Sequence, residues 1–374
     1  MKVLMIPTWY SGHDDEVMLA GVFHYEQSIA LQKYCDMALY YPFDTTLKTG
    51  FLECEEKGLL TFRRKHSRLK LLKYMLYIKD LMHIRKTFRP DILHAHVGAE
   101  AGKIAVVLGK IFRIPVVITE HNPIELAGLD NERNKNRNRF AYGKSQANIC
   151  VSEDSKNRLG KIFSDCKFRV IYNGIMDPNT IDFDGKKYAV DGYVNCCIVA
   201  AFYSRDIKGY QYLIPAMKRL VDEGMKIKLH ICGGGTYFDE YVELAKSLGI
   251  ADNCIFYNQC HREKVYSIMN QMNFSISASI FECSGVSVQE AMLLGKPLVV
   301  TKSGGANSLV TEETAIVVDR ESTDALVDGI RQMVKQKDKY DSQKIREYAF
   351  YNFEIDQVSQ RYVQLYTEVL NANK

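Results

Sequence analysis

Ser279-Ile-Phe-Glu-Cys-Ser-Gly-Val-Ser-Val-Gln-Glu-Ala-Met-Leu-Leu-Gly-Lys-Pro297 is the stretch of sequence that best indicates the fold. It follows an apolar run, residues 274–278, that has the composition of a buried strand. Its second half, residues 288–294, has the pattern of a short helix, which a glycine and then a proline end. Glu282 therefore lies where a strand becomes a loop, and Glu290 lies eight positions later on the following helix.

The loop between these two glutamates combines the groups that a phosphorylated sugar requires. Gly285 permits backbone geometry that other residues resist. The helix that begins after it exposes unpaired backbone N–H groups, which favour an anion. Carboxylates accept hydrogen bonds from hydroxyl groups. Amide donors for a phosphate beside carboxylate acceptors for hydroxyls indicate a site for a nucleotide sugar.

Short apolar runs alternate with helical patterns along the chain, which predicts parallel sheets joined by crossover helices. A first set of strands is predicted at residues 3–6, 38–41, 92–95, 116–119 and 147–151. A second set is predicted at residues 196–201, 228–232, 254–257, 274–278 and 297–301. The polar segment 177–191 separates the two sets. We therefore expect two α/β domains with the hinge in that segment.

Composition narrows the class of protein. A chain of 374 residues is too long for one typical core. The net charge of +4 does not by itself indicate a nucleic-acid partner, and none is expected. Ten cysteines without any Cys-x-x-Cys pair are typical of free thiols in a reducing compartment. The sequence shows no signal-peptide pattern and no run near the ~20 apolar residues of a membrane helix, so a cytoplasmic location is expected.

The motif Gly-Val-Ser-Val-Gln-Glu-Ala-Met-x-x-Gly-Lys-Pro around the glutamates resembles the donor site of retaining glycosyltransferases of the GT-B fold, glycosyltransferase family 4 (group 1). The resemblance implies two Rossmann-like parallel-sheet domains facing across a cleft. Residues 1–176 would form the acceptor-side domain and residues 177–345 the nucleotide-sugar domain. Residues 346–374 would form a helix that packs back on the first domain. Glu290 would hold the ribose hydroxyls, and Glu282 would lie beside the transferred sugar as a catalytic residue.

The same resemblance assigns further donor contacts. Lys208 would meet the diphosphate, and Gly233 would lie near the donor. Ala201 and Phe202 replace the Gly-Arg pair usual in the family, and we hypothesise that Arg205 supplies the missing guanidinium. Contacts of the backbone to the base and phosphates are implied at Gln259, Cys260, Val286 and Ser287.

In the first domain, the resemblance assigns Gly21 to the neighbourhood of the donor phosphates. His121, in a Thr-Glu-His segment at a predicted strand end, would point at the transferred sugar as the second catalytic residue. His96 is the lesser candidate, and His94 is expected to be structural.

Taken together, the resemblance implies an enzyme that transfers a hexosyl group, with retention, from a nucleotide sugar to a hydroxyl. The acceptor would be a glycan or lipid-linked glycan, in the synthesis of a cell-surface glycan or glycolipid. No metal and no other cofactor is expected. Two alternatives stay open: a sugar-nucleotide epimerase of the same fold, and a non-catalytic module that binds nucleotide sugars.

Cations are concentrated between Arg63 and Arg89, where leucines and methionines interleave with them. One interpretation is an amphipathic basic helix that contacts the inner face of an anionic membrane. The other is a solvated helix face above a buried apolar stripe.

Overall fold

The fold is described from a computed structural model of the chain, over residues 1–10, 21–67, 69–125 and 127–373. Arg68, one cation of the basic stretch, lies outside the described residues. The chain divides into two compact units. Unit 1 comprises residues 1–174 and 355–374, and unit 2 comprises residues 175–354. Each contains a largely parallel sheet, so the predicted pair of parallel-sheet domains is confirmed.

The sheet of unit 1 has eight strands in the described part of the chain. They are β1 (Lys2–Ile6), β2 (Asp36–Asp44), β3 (Phe51–Glu56), β4 (Leu59–Lys65), β5 (Ile92–His96), β6 (Val116–Glu120), β7 (Ala147–Cys150) and β8 (Arg169–Val170). Their order is β3-β4-β2-β1-β5-β6-β7-β8. Neighbouring strands are parallel except β3 and β4, which form an antiparallel hairpin at one edge.

Helices cover this sheet on both sides, as parallel strands require. They are α1 (Val22–Leu31), α2 (Lys70–Thr87), α3 (Lys103–Phe112), α4 (Glu132–Lys144), α5 (Glu153–Ile162) and the last helix, α12 (Ile355–Ala372). α12 buries Tyr362 and Tyr366 in the core of unit 1. The Tyr366 hydroxyl lies 2.7 Å from Nδ1 of His94, on β5. This bond and the apolar contacts around it hold α12 on unit 1.

Unit 2 contains a six-stranded parallel sheet. Its strands are β9 (Val194–Val199), β10 (Ile227–Cys232), β11 (Cys254–Tyr257), β12 (Phe274–Ser277), β13 (Leu298–Thr301) and β14 (Ala315–Val318). The helices are α6 (Tyr210–Asp222), α7 (Phe238–Ser247), α8 (Arg262–Gln271), α9 (Val286–Leu293), α10 (Thr323–Gln336) and α11 (Ser342–Phe353). Cys196 and Cys197 are fully buried in β9, where they act as small apolar residues. The ten cysteines form no disulfide with one another in the part of the chain that the structure describes.

The strand order identifies where each sheet can bind a ligand. In unit 2 the order is β11-β10-β9-β12-β13-β14. The chain adds strands on one side of β9 up to β11 and then on the other side from β12 onward, so the strand order reverses between β9 and β12. This is the strand order of dinucleotide-binding sheets, which bind at the carboxyl ends of the strands beside the reversal. In unit 1 the corresponding reversal lies between β1 and β5. The loops after β9 and β12, and after β1 and β5, are therefore the places to search for a site.

The basic stretch 63–89 is not one helix. Arg63, Arg64 and Lys65 lie on β4, and Arg64 forms a buried ion pair with Asp80. α2 then buries an apolar stripe that includes Leu81 and Ile84. The same helix exposes Leu72, Met75 and Met82 between its cations. The buried stripe agrees with the second interpretation for α2, and contact with a membrane stays a prediction. Neither interpretation describes residues 63–65.

Candidate functional site

In unit 2, the reversal of the sheet brings together two of the predicted donor-site side chains. Lys208 lies in the loop after β9, and Glu282 lies in the loop after β12. The Lys208 Nζ lies 2.5 Å from Oε1 of Glu282, and the Ser279 hydroxyl donates to the same oxygen at 2.8 Å. Both charged side chains are about three-quarters buried or more, with 28% and 19% of their surfaces exposed. The pair is therefore shielded from water but still open to a ligand.

A glycine loop after β13 fixes the backbone of Glu282. The Glu282 amide donates to the carbonyl of Ser303 at 3.0 Å, and the Gly305 amide donates to the carbonyl of Glu282 at 2.8 Å. A Cβ on Gly305 would lie 2.2 Å from the backbone of Cys283, so only glycine allows this approach. The Ser308 hydroxyl donates to the carbonyl of Gly305 at 2.7 Å. The loop thus serves to position Glu282.

Glu290 lies on α9, and a tyrosine from the neighbouring α8 holds its carboxylate. The hydroxyl of Tyr266, which is 1% exposed, donates to Oε1 of Glu290 at 2.8 Å. Gly285 precedes the helix with φ of 121°, a conformation that favours glycine. Val286 and Ser287 form the first turn of α9, where the backbone N–H groups are free of helical partners. The helix therefore presents an anion-binding terminus and an anchored carboxylate.

Gly209 brings the Lys208 loop close to β12. It has φ of 71°, and a Cβ there would lie 1.9 Å from the carbonyl oxygen of Ala278. No side chain fits in that space. The lysine-glycine pair is therefore a structural unit: the glycine allows the approach, and the lysine reaches Glu282.

Replacing Gly209 with alanine is expected to destabilise unit 2 by about 2–5 kcal/mol, because the left-handed backbone and the collision with Ala278 act together. The matched control is Gly224→Ala. Gly224 has φ of 80° but has no atom within 4 Å of its missing Cβ. It should lose only about 1 kcal/mol. Midpoints of urea unfolding compare the two variants, and equal midpoints would contradict the assigned role of Gly209.

Arg205 does not join the Lys208–Glu282 pair in this structure. Its guanidinium bonds to Oε1 of Glu240 at 2.6 Å, in an ion pair that is largely exposed. Phe202 is fully buried and stacks on Tyr210 with ring centroids 4.2 Å apart. Phe202, which the resemblance aligns with an arginine, is thus part of an aromatic core. Arg205 as the replacement for that arginine stays a hypothesis, and it requires the bond to Glu240 to break.

Gly233, Gln259 and Cys260 lie at neighbouring strand ends of the same sheet edge. Gly233 follows β10 with φ of 154°, and its Cβ would lie 2.1 Å from the carbonyl of Ala200. Gln259 is exposed, and its backbone N–H donates to Oδ1 of Asn258 at 2.7 Å. The Cys260 thiol donates to the carbonyl of Asn258 at 3.1 Å. Their predicted contacts with a base or a phosphate remain predictions.

In unit 1, four histidines lie together beside the reversal between β1 and β5. His94 and His96 come from β5, His121 follows β6, and His24 lies on α1. Nδ1 of His96 lies 2.7 Å from Nε2 of His121, and the two rings are nearly parallel. One of these nitrogens must donate and the other must accept, so the tautomers of the two rings are coupled. His96 therefore orients His121.

Burial lowers the pKa of all four histidines below that of free imidazole, which keeps them neutral near pH 7. His121 is half-buried, whereas the other three are fully buried. Neither ring nitrogen of His24 has a hydrogen-bond partner among the described residues. A neutral, half-exposed His121 can exchange one hydrogen bond with a bound group.

Glu120 fixes the backbone on either side of His121. One of its carboxylate oxygens accepts from the amides of His121 and Asn122, at 3.0 and 2.9 Å. The other accepts from the amide of Gly98 at 3.0 Å and from the hydroxyl of Tyr142 at 2.6 Å. The carboxylate is 4% exposed and is fully used by these bonds. It is a positioning residue that sequence analysis did not identify.

Gly21 precedes α1 at the carboxyl end of the unit 1 sheet. It has φ of 80°, and a Cβ there would lie 2.4 Å from the carbonyl oxygen of Trp9. The loop after β1 and the start of α1 thus meet only because this residue is glycine. Its predicted contact with donor phosphates remains a prediction.

Two general properties concern the described residues as a whole. No group of three or more histidines, cysteines or carboxylates among them is arranged to hold a metal ion. Within the same residues, no helix combines the length and the apolarity needed to cross a bilayer.

Family models and curated proteins match both halves of the chain. The model described as glycosyl transferases group 1 matches residues 187–350, and the model of glycosyltransferase family 4 matches residues 46–177. An uncharacterised glycosyltransferase of Methanocaldococcus jannaschii is 27% identical over 64% of this chain and 65% of its own length. The alpha-monoglucosyldiacylglycerol synthase of Streptococcus pneumoniae is 24% identical over 62% of this chain and 56% of its own. The chain thus spans less than two thirds of both relatives.

Solved structures match nearly the whole chain in fold. Anabaena HepE in complex with UDP superposes with a TM-score of 0.76 at 18% identity, covering 98% of this chain and 100% of that protein. A sucrose-phosphate synthase from Thermosynechococcus elongatus superposes with a TM-score of 0.74 at 16% identity, covering 99% of each chain. At these identities the likeness is one of fold alone.

Proposed function

The chain belongs to glycosyltransferase family 4, the group 1 glycosyl transferases with the GT-B fold, and we propose that it transfers a hexosyl group, with retention, from a nucleoside-diphosphate sugar to a hydroxyl acceptor. The observation that carries the proposal is the pairing of Lys208 with Glu282 at the reversal of the unit 2 sheet. That is the edge at which such sheets bind nucleotides.

The chemistry of the three side chains fits a donor. Lys208 would offset the charge that develops on the diphosphate as it leaves the sugar. Glu282 would give up part of its bond to Lys208 and accept hydrogen bonds from the sugar. Glu290, anchored by Tyr266, would accept from the ribose hydroxyls. The first turn of α9 would donate backbone N–H groups to a phosphate oxygen.

The acceptor would bind to unit 1 near His121. Burial lowers the pKa of His121, so the imidazole stays neutral and can accept a hydrogen bond from the attacking hydroxyl without taking its proton. Its bond to His96 selects which nitrogen is available. Transfer to a glycan or a lipid-linked glycan in the synthesis of a cell-surface polymer or glycolipid is part of the proposal. Contact with an anionic membrane would use the face of α2 that exposes Leu72, Met75 and Met82.

Thermal unfolding with a panel of UDP-, GDP- and ADP-sugars tests the donor. A ligand that binds only the folded state raises the melting temperature. At a ligand concentration one hundred times Kd, it adds about 2.7 kcal/mol to the free energy of unfolding. HepE has been solved with UDP and with UDP-glucose, so UDP-sugars come first in the panel. The absence of a shift with every nucleotide sugar would contradict the proposal.

The protein with its bound donor is then incubated with acceptor molecules that carry free hydroxyl groups, with and without EDTA. Transfer with retention of the anomeric configuration is expected, and EDTA should not affect it. Lys208 and the helix N–H groups would offset the charge on the diphosphate, so no metal ion would be needed for this. Isomerisation of the donor without transfer would indicate an epimerase. Binding without turnover would indicate a non-catalytic module.

A further inference from the structure

A concavity of about 560 Å³ on unit 1 is lined by cations from three different helices. Lys73 belongs to α2, Lys103 to α3, and Arg133 and Arg137 to α4. Tyr74 and Phe140 complete much of the remaining wall. We call this concavity, defined by its four cations, the cationic pocket.

Three of the four cations lack a counter-ion. Arg137 pairs with Glu100, their closest atoms 2.9 Å apart. Lys73, Lys103 and Arg133 form no ion pair with any residue that the structure describes. Lys73, Lys103 and Arg137 are also half-buried rather than extended into solvent. The pocket therefore holds an excess of positive charge that the protein does not neutralise.

Local structure does not favour the placing of Lys73 and Lys103. Lys73 lies in the first helical turns of α2, and Lys103 and Arg133 are the first and second residues of α3 and α4. Helix N-termini carry partial positive charge and favour acidic residues, yet α2 has none in its first turn. α3 continues from a π-helical turn, Gly98–Gly102, so Lys103 lies inside a continuous helix. Burial, and then Arg137 and Lys73, lower the pKa of Lys103. Lys73, near the start of its helix, and Lys103, buried among other cations, are thus charges placed against local preference, which indicates a function.

The pocket also lies at the functional edge of unit 1. α2, α3 and α4 each lead into a following parallel strand, so each begins at the edge where the preceding strands end. His121 follows β6 at that same edge. A ligand held in the cationic pocket would thus lie on the side of the sheet where the histidines are.

We propose that the cationic pocket binds a phosphate group. Arg133 and Arg137 supply planar forks that match phosphate oxygens, and the two lysines supply point charges. Tyr74 and Phe140 supply apolar ring surface to the same wall, and Phe140 is exposed. The ligand is therefore a phosphate attached to an organic group, either a soluble phosphorylated molecule or a lipid headgroup. Anion binding stands independently of the proposed function, whereas use of the pocket by an acceptor substrate rests on it.

The test uses the full chain with Lys103→Gln/Arg133→Gln. The matched control, Lys48→Gln/Lys161→Gln, removes the same charge from two exposed unit 1 lysines outside the pocket. One arm titrates inorganic phosphate and glycerol 3-phosphate by calorimetry. The other sediments the proteins with phosphatidylglycerol-containing vesicles, against pure phosphatidylcholine. The donor site of unit 2 is unchanged in every variant, so differences between them report on the pocket alone.

We expect the pocket variant to bind about tenfold or more weakly than wild type and the control to bind like wild type. A loss with the soluble phosphates identifies a soluble ligand, and a loss only with vesicles identifies a headgroup. Equal binding by wild type and the pocket variant, no binding by wild type, or an equal loss in the control would overturn the proposal. Lys73→Gln/Arg133→Gln provides a second pair should the first not fold.

Discussion

Replacing Lys208 with alanine is expected to lower kcat/KM for sugar transfer by about 10²–10³-fold, because the variant loses the cation that opposes charge on the departing diphosphate. The Lys208 ammonium meets Glu282 in the unliganded protein. The variant therefore leaves a carboxylate facing the place where a diphosphate would bind, which adds repulsion to the lost attraction. Both kcat and donor affinity should fall. Steady-state kinetics with the donor found by thermal unfolding measures the change.

Two other variants make this result specific. Lys218→Ala removes an exposed lysine that pairs with Asp222 on α6, and it should leave kcat/KM within about twofold, as expected for a surface ion pair. Arg205→Ala tests whether that residue substitutes for the arginine usual in the family. Unchanged turnover and donor affinity in Arg205→Ala would remove Arg205 from the site. Undiminished donor binding by Lys208→Ala/Glu290→Gln would remove the unit 2 site itself.

Unit 1 is expected to lose stability steeply between pH 6.5 and about pH 3, because its four clustered histidines are neutral when folded. Their pKa values are lowered in the folded state, so the unfolded chain binds more protons as the pH falls. Stability is complete above the unfolded pKa of about 6.5 and declines below it. Each histidine contributes about 1.4 kcal/mol per pH unit, so the four together contribute about 5.5 kcal/mol per pH unit.

Trp9 provides the measurement, since it is the single tryptophan of the chain and its ring lies 5.9 Å from that of His24. Urea unfolding followed by Trp9 fluorescence should show a midpoint that falls with pH over this range. His24→Phe should make the decline shallower by about a quarter, one histidine of the four. His83→Gln, at an exposed histidine of α2, should leave it unchanged. A midpoint that is constant from pH 7 to pH 5 would contradict the prediction.

The sequence predicts the sheets better than the contacts between their loops. The strands predicted for unit 2 agree with the structure to within two residues, because buried parallel strands are continuous apolar runs. The β3–β4 hairpin was missed. β3 is an exposed edge strand with alternating glutamates, so its hydrophobic signal is weak. The pair Lys57-Gly58 between the two strands, both at positive φ, was the available signal for a hairpin turn.

Side-chain partners were harder to predict, for a physical reason. The motif identified Glu290 but not Tyr266, which lies 24 positions away and contacts it only through the packing of α8 on the sheet. Glu120 was within the motif that supplied His121. Its role depends on bonds to Gly98 and Tyr142, which a linear pattern does not contain. A sequence motif shows which residue types are present, whereas the neighbours that orient those residues depend on tertiary structure.

The entry and exit of unit 2 are adjacent. Ile175 and Glu354, its first and last residues, form a parallel bridge, and the Ile175 amide donates to the carbonyl of Phe353 at 2.8 Å. Unit 2 is thus a single uninterrupted cassette, 175–354, whose two ends meet. An exchange of residues 175–354 between related chains would need two junctions that are adjacent in the structure, and α12 would stay on its own core. The sequences of the two units could therefore change independently of each other.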